Sequence, residues 1–154
     1  MADHSPHILV IEARFYEDLA DELAAGALEA LEAGGATYER MAVPGAFEIP
    51  AAVSYALTHQ ELEDRHVYDG YVTLGCVIRG ETTHYDYVCG ESARGLMNLA
   101  TDFGLALGYG ILTVENEEQA WERAKRDRKN KGGAVANACL AMIEHKNRFG
   151  LYPR

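Results

Sequence analysis

Gly70-Tyr71-Val72-Thr73-Leu74-Gly75-Cys76-Val77-Ile78 runs directly into Arg79-Gly80-Glu81-Thr82-Thr83-His84-Tyr85-Asp86-Tyr87, and this junction decides the fold. The first nine residues are largely apolar and do not alternate, the pattern of a strand covered on both faces in a parallel sheet. The next nine are polar and open a long helix, expected over residues 83–104. Cys89, Ala93, Leu96, Ala100 and Phe103 are spaced along it as a buried stripe. A buried strand feeding a helix through a short polar turn is half of a βαβ unit, and the neighbouring elements should repeat it.

They do so in both directions. Upstream, a short apolar run at residues 8–11 precedes a helix expected over 16–33, with Leu19, Leu23, Ala27 and Leu31 on its inner face. Gly34 and Gly35 stop that helix. A strand over residues 37–43 then ends in Pro44-Gly45, and a short helix over 49–58 tolerates Pro50 in its first turn. Downstream, a strand over 108–114 leads to Asn116, an expected N-cap for a helix carrying Ala120, Trp121 and Ala124. A last helix over 133–146 is apolar at Val135, Ala138, Cys139, Met142 and Ile143. The order β-α-β-α-β-α-β-α-α defines an α/β fold, a four-stranded parallel sheet with helices on both faces. The 154 residues are expected to form one domain, with residues 1–7 as a flexible or interface-bound arm.

Composition removes several classes of function. The net charge of −10 opposes nucleic acid and anionic membrane surfaces as partners. No run approaches the roughly 18 apolar residues of a membrane span, and the first residues lack the basic and apolar blocks of a signal peptide, so the expected address is cytoplasmic. Cys76, Cys89 and Cys139 are far apart and odd in number, which fits free thiols better than a disulfide framework or a metal site. Against the acidic background, six of the fourteen basic residues fall between Arg123 and Lys131. That cluster is either a solvated helix end or a seat for a small anion.

Ligands of open parallel sheets sit beyond the carboxyl ends of the strands, which directs attention to residues 12–16, 44–50, 79–87 and 115 onward. At 79–87 a helix start beside Gly80, with Thr82 and Thr83 nearby, could hold a phosphate, or a threonine could merely cap the helix. His84 in that turn can move protons near neutral pH or be an ordinary surface histidine. Phe47 could stack on a planar ring with Glu48 accepting hydrogen bonds, or belong to the core with Glu48 at the helix dipole; Phe15 poses the same choice. No GxxxxGK[ST] occurs and no GxGxxG precedes a helix, so a dinucleotide or P-loop site is not expected.

Assembled in order, these segments resemble the lumazine synthase family. The carriers are Ala13-Arg14-Phe15, Val43-Pro44-Gly45-Ala46-Phe47-Glu48-Ile49-Pro50, residues 75–88 and Thr113-Val114-Glu115-Asn116. Gln119-Ala120, Arg123 and Asn130-Lys131-Gly132 complete the match, which spans residue 8 to the C-terminus. The resemblance implies a three-layer α/β sandwich that assembles as a pentamer or as larger shells of pentamers. It implies an enzyme without a cofactor or metal, acting on 5-amino-6-ribitylaminouracil and 3,4-dihydroxy-2-butanone 4-phosphate. By the same resemblance Phe15 stacks on the pyrimidine, and Ala46, Phe47, Glu48, Val77 and Ile78 contact its ring and ribityl chain. Glu81, Thr82 and Arg123 hold the phosphate, His84 transfers protons, and Lys131 lies close to the substrates. Tyr109, Arg123 and Lys131 would come from a neighbouring subunit.

Two positions and one connector depart from the family pattern. Tyr109 stands where phenylalanine is common, and Glu81 replaces a small residue, so that only its N–H can serve the phosphate. Lys125-Arg126-Asp127-Arg128-Lys129 replaces a glycine-containing connector found in shell-forming members, which favours a pentamer over a sixty-subunit shell. Competing readings are a riboflavin synthase that dismutates two lumazines and a non-catalytic flavin or lumazine carrier. A flavodoxin-like module would need an acidic cluster after the first strand, where only Glu12 stands.

Overall fold

The computed structural model describes residues 4–153. Four strands, β1 (His7–Ala13), β2 (Thr37–Val43), β3 (Gly70–Ile78) and β4 (Leu107–Val114), form one parallel sheet in the order β2-β1-β3-β4. Between and after them lie helices α1 (Glu17–Ala33), α2 (Ile49–Leu62), α3 (His84–Phe103), α4 (Glu117–Ala124) and α5 (Lys131–Arg148).

The period-2 alternation of the buried strands sorts the core into two layers. Ile8 and Val10 of β1 meet α1 and α5 through Ala27, Leu31, Ala136 and Cys139 on one face. Leu9, Ile11 and Ala13 meet α2 and α3 through Ile49, Val53 and Leu96 on the other. The result is the three-layer sandwich expected from the sequence. A third, smaller cluster of Leu19, Leu23, Leu112, Val114, Ala120 and Ala124 seats α4 against α1 and the end of β4. Among the described residues no helix is long and apolar enough to cross a membrane.

Helices α1 and α5 meet almost backbone to backbone. A Cβ at Gly132 would lie 2.1 Å from the Leu23 carbonyl oxygen, so nothing larger than glycine fits at that crossing. Asn130 precedes it with φ at +45°, and its side chain accepts from the Gly133 N–H, starting α5 at Lys131 instead of residue 133. The cap thus draws both glycines into the first helical turn.

Other boundaries also moved. β1 is longer than residues 8–11 because its register with β2 runs unbroken from His7↔Thr37 to Ala13↔Val43. α2 continues past residue 58 to Leu62, and a 3-10 turn at Ala46–Glu48 precedes it. The stripe expected on α3 is rotated by one position: Val88, Ser92 and Leu96 are buried, whereas Ala93 is exposed and Phe103 is 61% exposed. Apolar residues cover two faces of α3, and only one of them meets the sheet. Ala138 and Met142 of α5 likewise face outward.

At the amino edge of the sheet Asp69 is a buried carboxylate. It accepts from His4 Nε2 and the His7 N–H at Oδ2, and from His66 Nε2 at Oδ1, each at 2.8 Å. Burial alone would raise its pKa, but these hydrogen bonds outweigh it and hold the carboxyl below its ordinary value. A depressed folded-state pKa contributes stability above the unfolded value of about 3.9, lost as pH falls through the folded value. Urea denaturation between about pH 6 and pH 3 should therefore show a steep acid limb that flattens in Asp69→Asn. An unchanged limb would mean that another carboxylate sets it.

Candidate active site

The switch point of the sheet lies between β1 and β3, where the chain has gone outward to β2 and returned, and a crevice opens there at the carboxyl ends. It holds a pocket of about 470 Å³, lined on three sides by segments that each follow a strand. Phe15 and Tyr16 come from the end of β1, Gly45, Ala46, Phe47 and Glu48 from the turn after β2, and Cys76, Val77 and Ile78 from β3 itself. Gly80, Thr82, His84, Tyr85 and Val88 close it along the start of α3.

The structure resolves two ambiguities of the aromatic residues. Phe15 is 73% and Phe47 57% exposed, so neither ring is core; both stand at the pocket while Ala46 anchors the turn beneath. Phe15 touches Tyr16 edge-on, with ring centroids 4.9 Å apart. Glu48 is exposed at the pocket, next to the buried Ile49 that starts α2.

At the start of α3 the Thr83 side chain makes no capping bond. Thr82 Oγ1 accepts from the His84 N–H at 3.3 Å, folding the turn back on itself. Gly80 faces open space, with no atom within 4 Å of where a Cβ would be. The exposed Glu81 side chain is absent from the lining. Arg79 braces the turn from outside: its Nε donates to Glu115 at 2.7 Å and its guanidinium lies 4.2 Å over the Tyr85 ring. Tyr85, Tyr16 and Cys76 are lining residues that the sequence did not single out, although Tyr85 is the next residue after His84.

Three expected site residues lie elsewhere in the same chain. Tyr109 is on β4 toward Ser92 of α3, its phenol raised chiefly by burial. Arg123 on α4 is half-buried, with its guanidinium donating to the Gln119 carbonyl at 3.1 Å. Lys131 is exposed at the first turn of α5. Part of the basic cluster is spent within the chain, since Arg126 pairs with Glu22 and Glu29 of α1.

A slightly larger hollow, about 510 Å³, opens at the amino edge near Gln60, Asp69 and Phe103. Gln60 there already bonds Tyr71 and the Val67 and Tyr68 N–H groups, and the amino edge is not where open parallel sheets carry ligands. The carboxyl-edge pocket is the better site.

A parallel α/β sandwich with two exposed rings facing a helix start at its switch point has the architecture of a small-molecule site for a planar ligand with an anionic group. The sequence model of the 6,7-dimethyl-8-ribityllumazine synthase family matches residues 5–147, and the chain belongs to that family. It is 59% identical over 144 residues to 6,7-dimethyl-8-ribityllumazine synthase 1 of Rhizobium meliloti, covering 94% of each chain. It is 57% identical over 145 residues to the 6,7-dimethyl-8-ribityllumazine synthases of Bartonella tribocorum and Agrobacterium fabrum. Those matches cover 94% of this chain and 93% and 97% of theirs.

Burial pushes the Cys76 thiol up to about 12, with Cys89 adding a smaller push. The thiolate is the reactive form, so iodoacetamide at about pH 8 should label Cys76 on the order of a thousandfold more slowly than an ordinary thiol. Peptide mass mapping reads the rate, and labelling as fast as glutathione would contradict a shielded thiol.

Proposed function

We propose that this protein condenses 5-amino-6-ribitylaminouracil with 3,4-dihydroxy-2-butanone 4-phosphate to give 6,7-dimethyl-8-ribityllumazine, a step of riboflavin biosynthesis. The observation that carries the proposal is the meeting of Phe15, Phe47 and Glu48 with Gly80, Thr82 and His84 around one pocket. The ring amine attacks the ketone to form an imine with loss of water. Phosphate is then eliminated as the neighbouring carbinol carbon becomes a ketone by way of its enol. The ribitylamino nitrogen condenses with that carbonyl, losing a second water and closing the ring.

Each group has a part in that chemistry. Phe15 stacks on the pyrimidine, while Ala46, Phe47, Glu48, Val77 and Ile78 bound its ring and ribityl chain. Thr82, the Glu81 N–H and Arg123 hold the phosphate by charge-assisted hydrogen bonds. His84 moves protons, a contribution on the order of 10²–10⁴-fold. Holding two reactants together supplies more, about 7–11 kcal/mol in well-oriented cases.

The same proposal makes the active unit a homo-oligomer, a pentamer in which a neighbour supplies Tyr109, Arg123 and Lys131. Two features support it. Those residues lie off the pocket of their own chain, and Tyr55, Leu62, Tyr87, Met97 and Phe103 leave large apolar side chains of α2 and α3 exposed. Three free cysteines suit a reducing, cytoplasmic setting.

Purified protein mixed with both substrates should raise lumazine absorbance above the uncatalysed background; binding of the pyrimidine without turnover would instead make this a carrier. Arg123→Ala should raise KM for the phosphorylated ketone at least about tenfold more than KM for the pyrimidine, as loss of a charge-assisted contact predicts. Equal effects would remove Arg123 from the phosphate. His84→Ala should lower kcat by about 10²-fold or more with pyrimidine affinity nearly intact. Sedimentation velocity tests the assembly, and a monomer that turns over would overturn the shared site.

A further inference from the structure

Phe15 has little packing to hold its ring: it is 73% exposed, and among the described residues its one aromatic contact is the edge of Tyr16. Its orientation must therefore come from the backbone between β1 and α1. That backbone lacks the usual restraint, because Tyr16 is the N-cap of α1 and makes no side-chain capping bond. The Arg14 N–H reaches the Val43 carbonyl at a long 3.4 Å.

What ties the segment down is the Arg14 side chain. Its guanidinium donates to Glu12 at 2.8 Å, to Glu17 in the first turn of α1 at 3.0 Å, and to Asp21 one turn further. Glu12 is 3% exposed and belongs to β1, paired with Ala42 and Leu74 on either side, so the fork is fixed to the most rigid part of the sheet. Arg40 of β2 donates to both Glu12 oxygens, at 2.7 and 2.9 Å, and completes the neutralisation. The Arg14 guanidinium reaches α1, whereas Ala13 packs in the α2–α3 layer and Phe15 lines the pocket. The arginine clamps one side of the segment while the phenylalanine serves the other.

We propose that Arg14, seated on buried Glu12, is a positioning residue that sets the Phe15 ring for the pyrimidine. The inference rests on reading the pocket as the pyrimidine site.

Steady-state kinetics of the full chain test it. Arg14→Ala should raise KM for the pyrimidine about tenfold, within the range a stacked base is worth, with kcat and ketone KM within about twofold. Arg14→Lys keeps the charge but loses the planar fork, so it should follow Arg14→Ala, and it carries the test if the alanine variant does not fold. In a Phe15→Ala background, Arg14→Ala should add nothing further to pyrimidine KM. Arg40→Ala disturbs the same buried carboxylate without touching α1 and should leave pyrimidine KM within about twofold.

Additive effects of Arg14 and Phe15, equal changes for both substrates, or matching effects of Arg14→Ala and Arg40→Ala would each overturn the proposal and leave a structural ion pair. A normal pyrimidine KM in Phe15→Ala would remove the pocket reading and the proposal together. A Phe15 effect with none at Arg14 would overturn the arginine alone.

Discussion

β1 is hydrogen-bonded along both edges and buried on both faces, and the rest of the molecule is arranged around that confinement. Paired in parallel with β2 and β3, it ends level with β2 at Ala13↔Val43, while β3 continues beyond Leu74, its last residue paired with β1, to Ile78. Its alternating side chains divide the core into an α1–α5 layer and an α2–α3 layer. The pocket follows from the same constraint, because the crevice between β1 and β3 exists only where the chain reverses its direction of travel across the sheet.

Much of this was legible in the residues. Two strands, Thr37–Val43 and Gly70–Ile78, have the bounds expected from the sequence. Asn116 caps α4 as its position implied, accepting from the Gln119 N–H at 2.9 Å, and the Gln119 side chain accepts in turn from the Glu115 N–H at 2.8 Å. The signal failed where two causes produce one pattern. On α3 an apolar residue turned toward the sheet and one left on the surface look alike in the sequence, so the buried face was placed one position off. The last helix was expected from residue 133 but begins at Lys131, because Gly132 is needed by α1, over 100 residues away, and Gly133 by the Asn130 cap.

The site was legible in part for the same reason. Rule-based attention to strand ends found Phe15, Phe47, Glu48, Thr82 and His84, which the structure gathers at one pocket. Whether the two rings were core or surface was not decidable from spacing, since the core is satisfied by Ala46 and Ile49 between them. Tyr109, Arg123 and Lys131 could be joined to the pocket only through family likeness, because no geometry within one chain brings them there. The Glu12, Arg14 and Arg40 network was out of reach of any short motif: Glu12 lies on β1, Arg14 just past its end and Arg40 on the adjacent β2, 26 residues from Arg14.

The crossing of α1 and α5 carries a consequence for how such a sequence can diversify. Where the Leu23 carbonyl faces Gly132, exclusion is by volume alone, so a methyl group is rejected there as firmly as a charge. Conservative exchange, the usual first step of neutral drift, has no foothold at that position. The outward faces of α3 and α5 are more permissive, since side chains such as Met97 and Met142 stand largely or partly exposed there. The interior crossing admits no substitute side chain, while the outward faces of the same layers tolerate many.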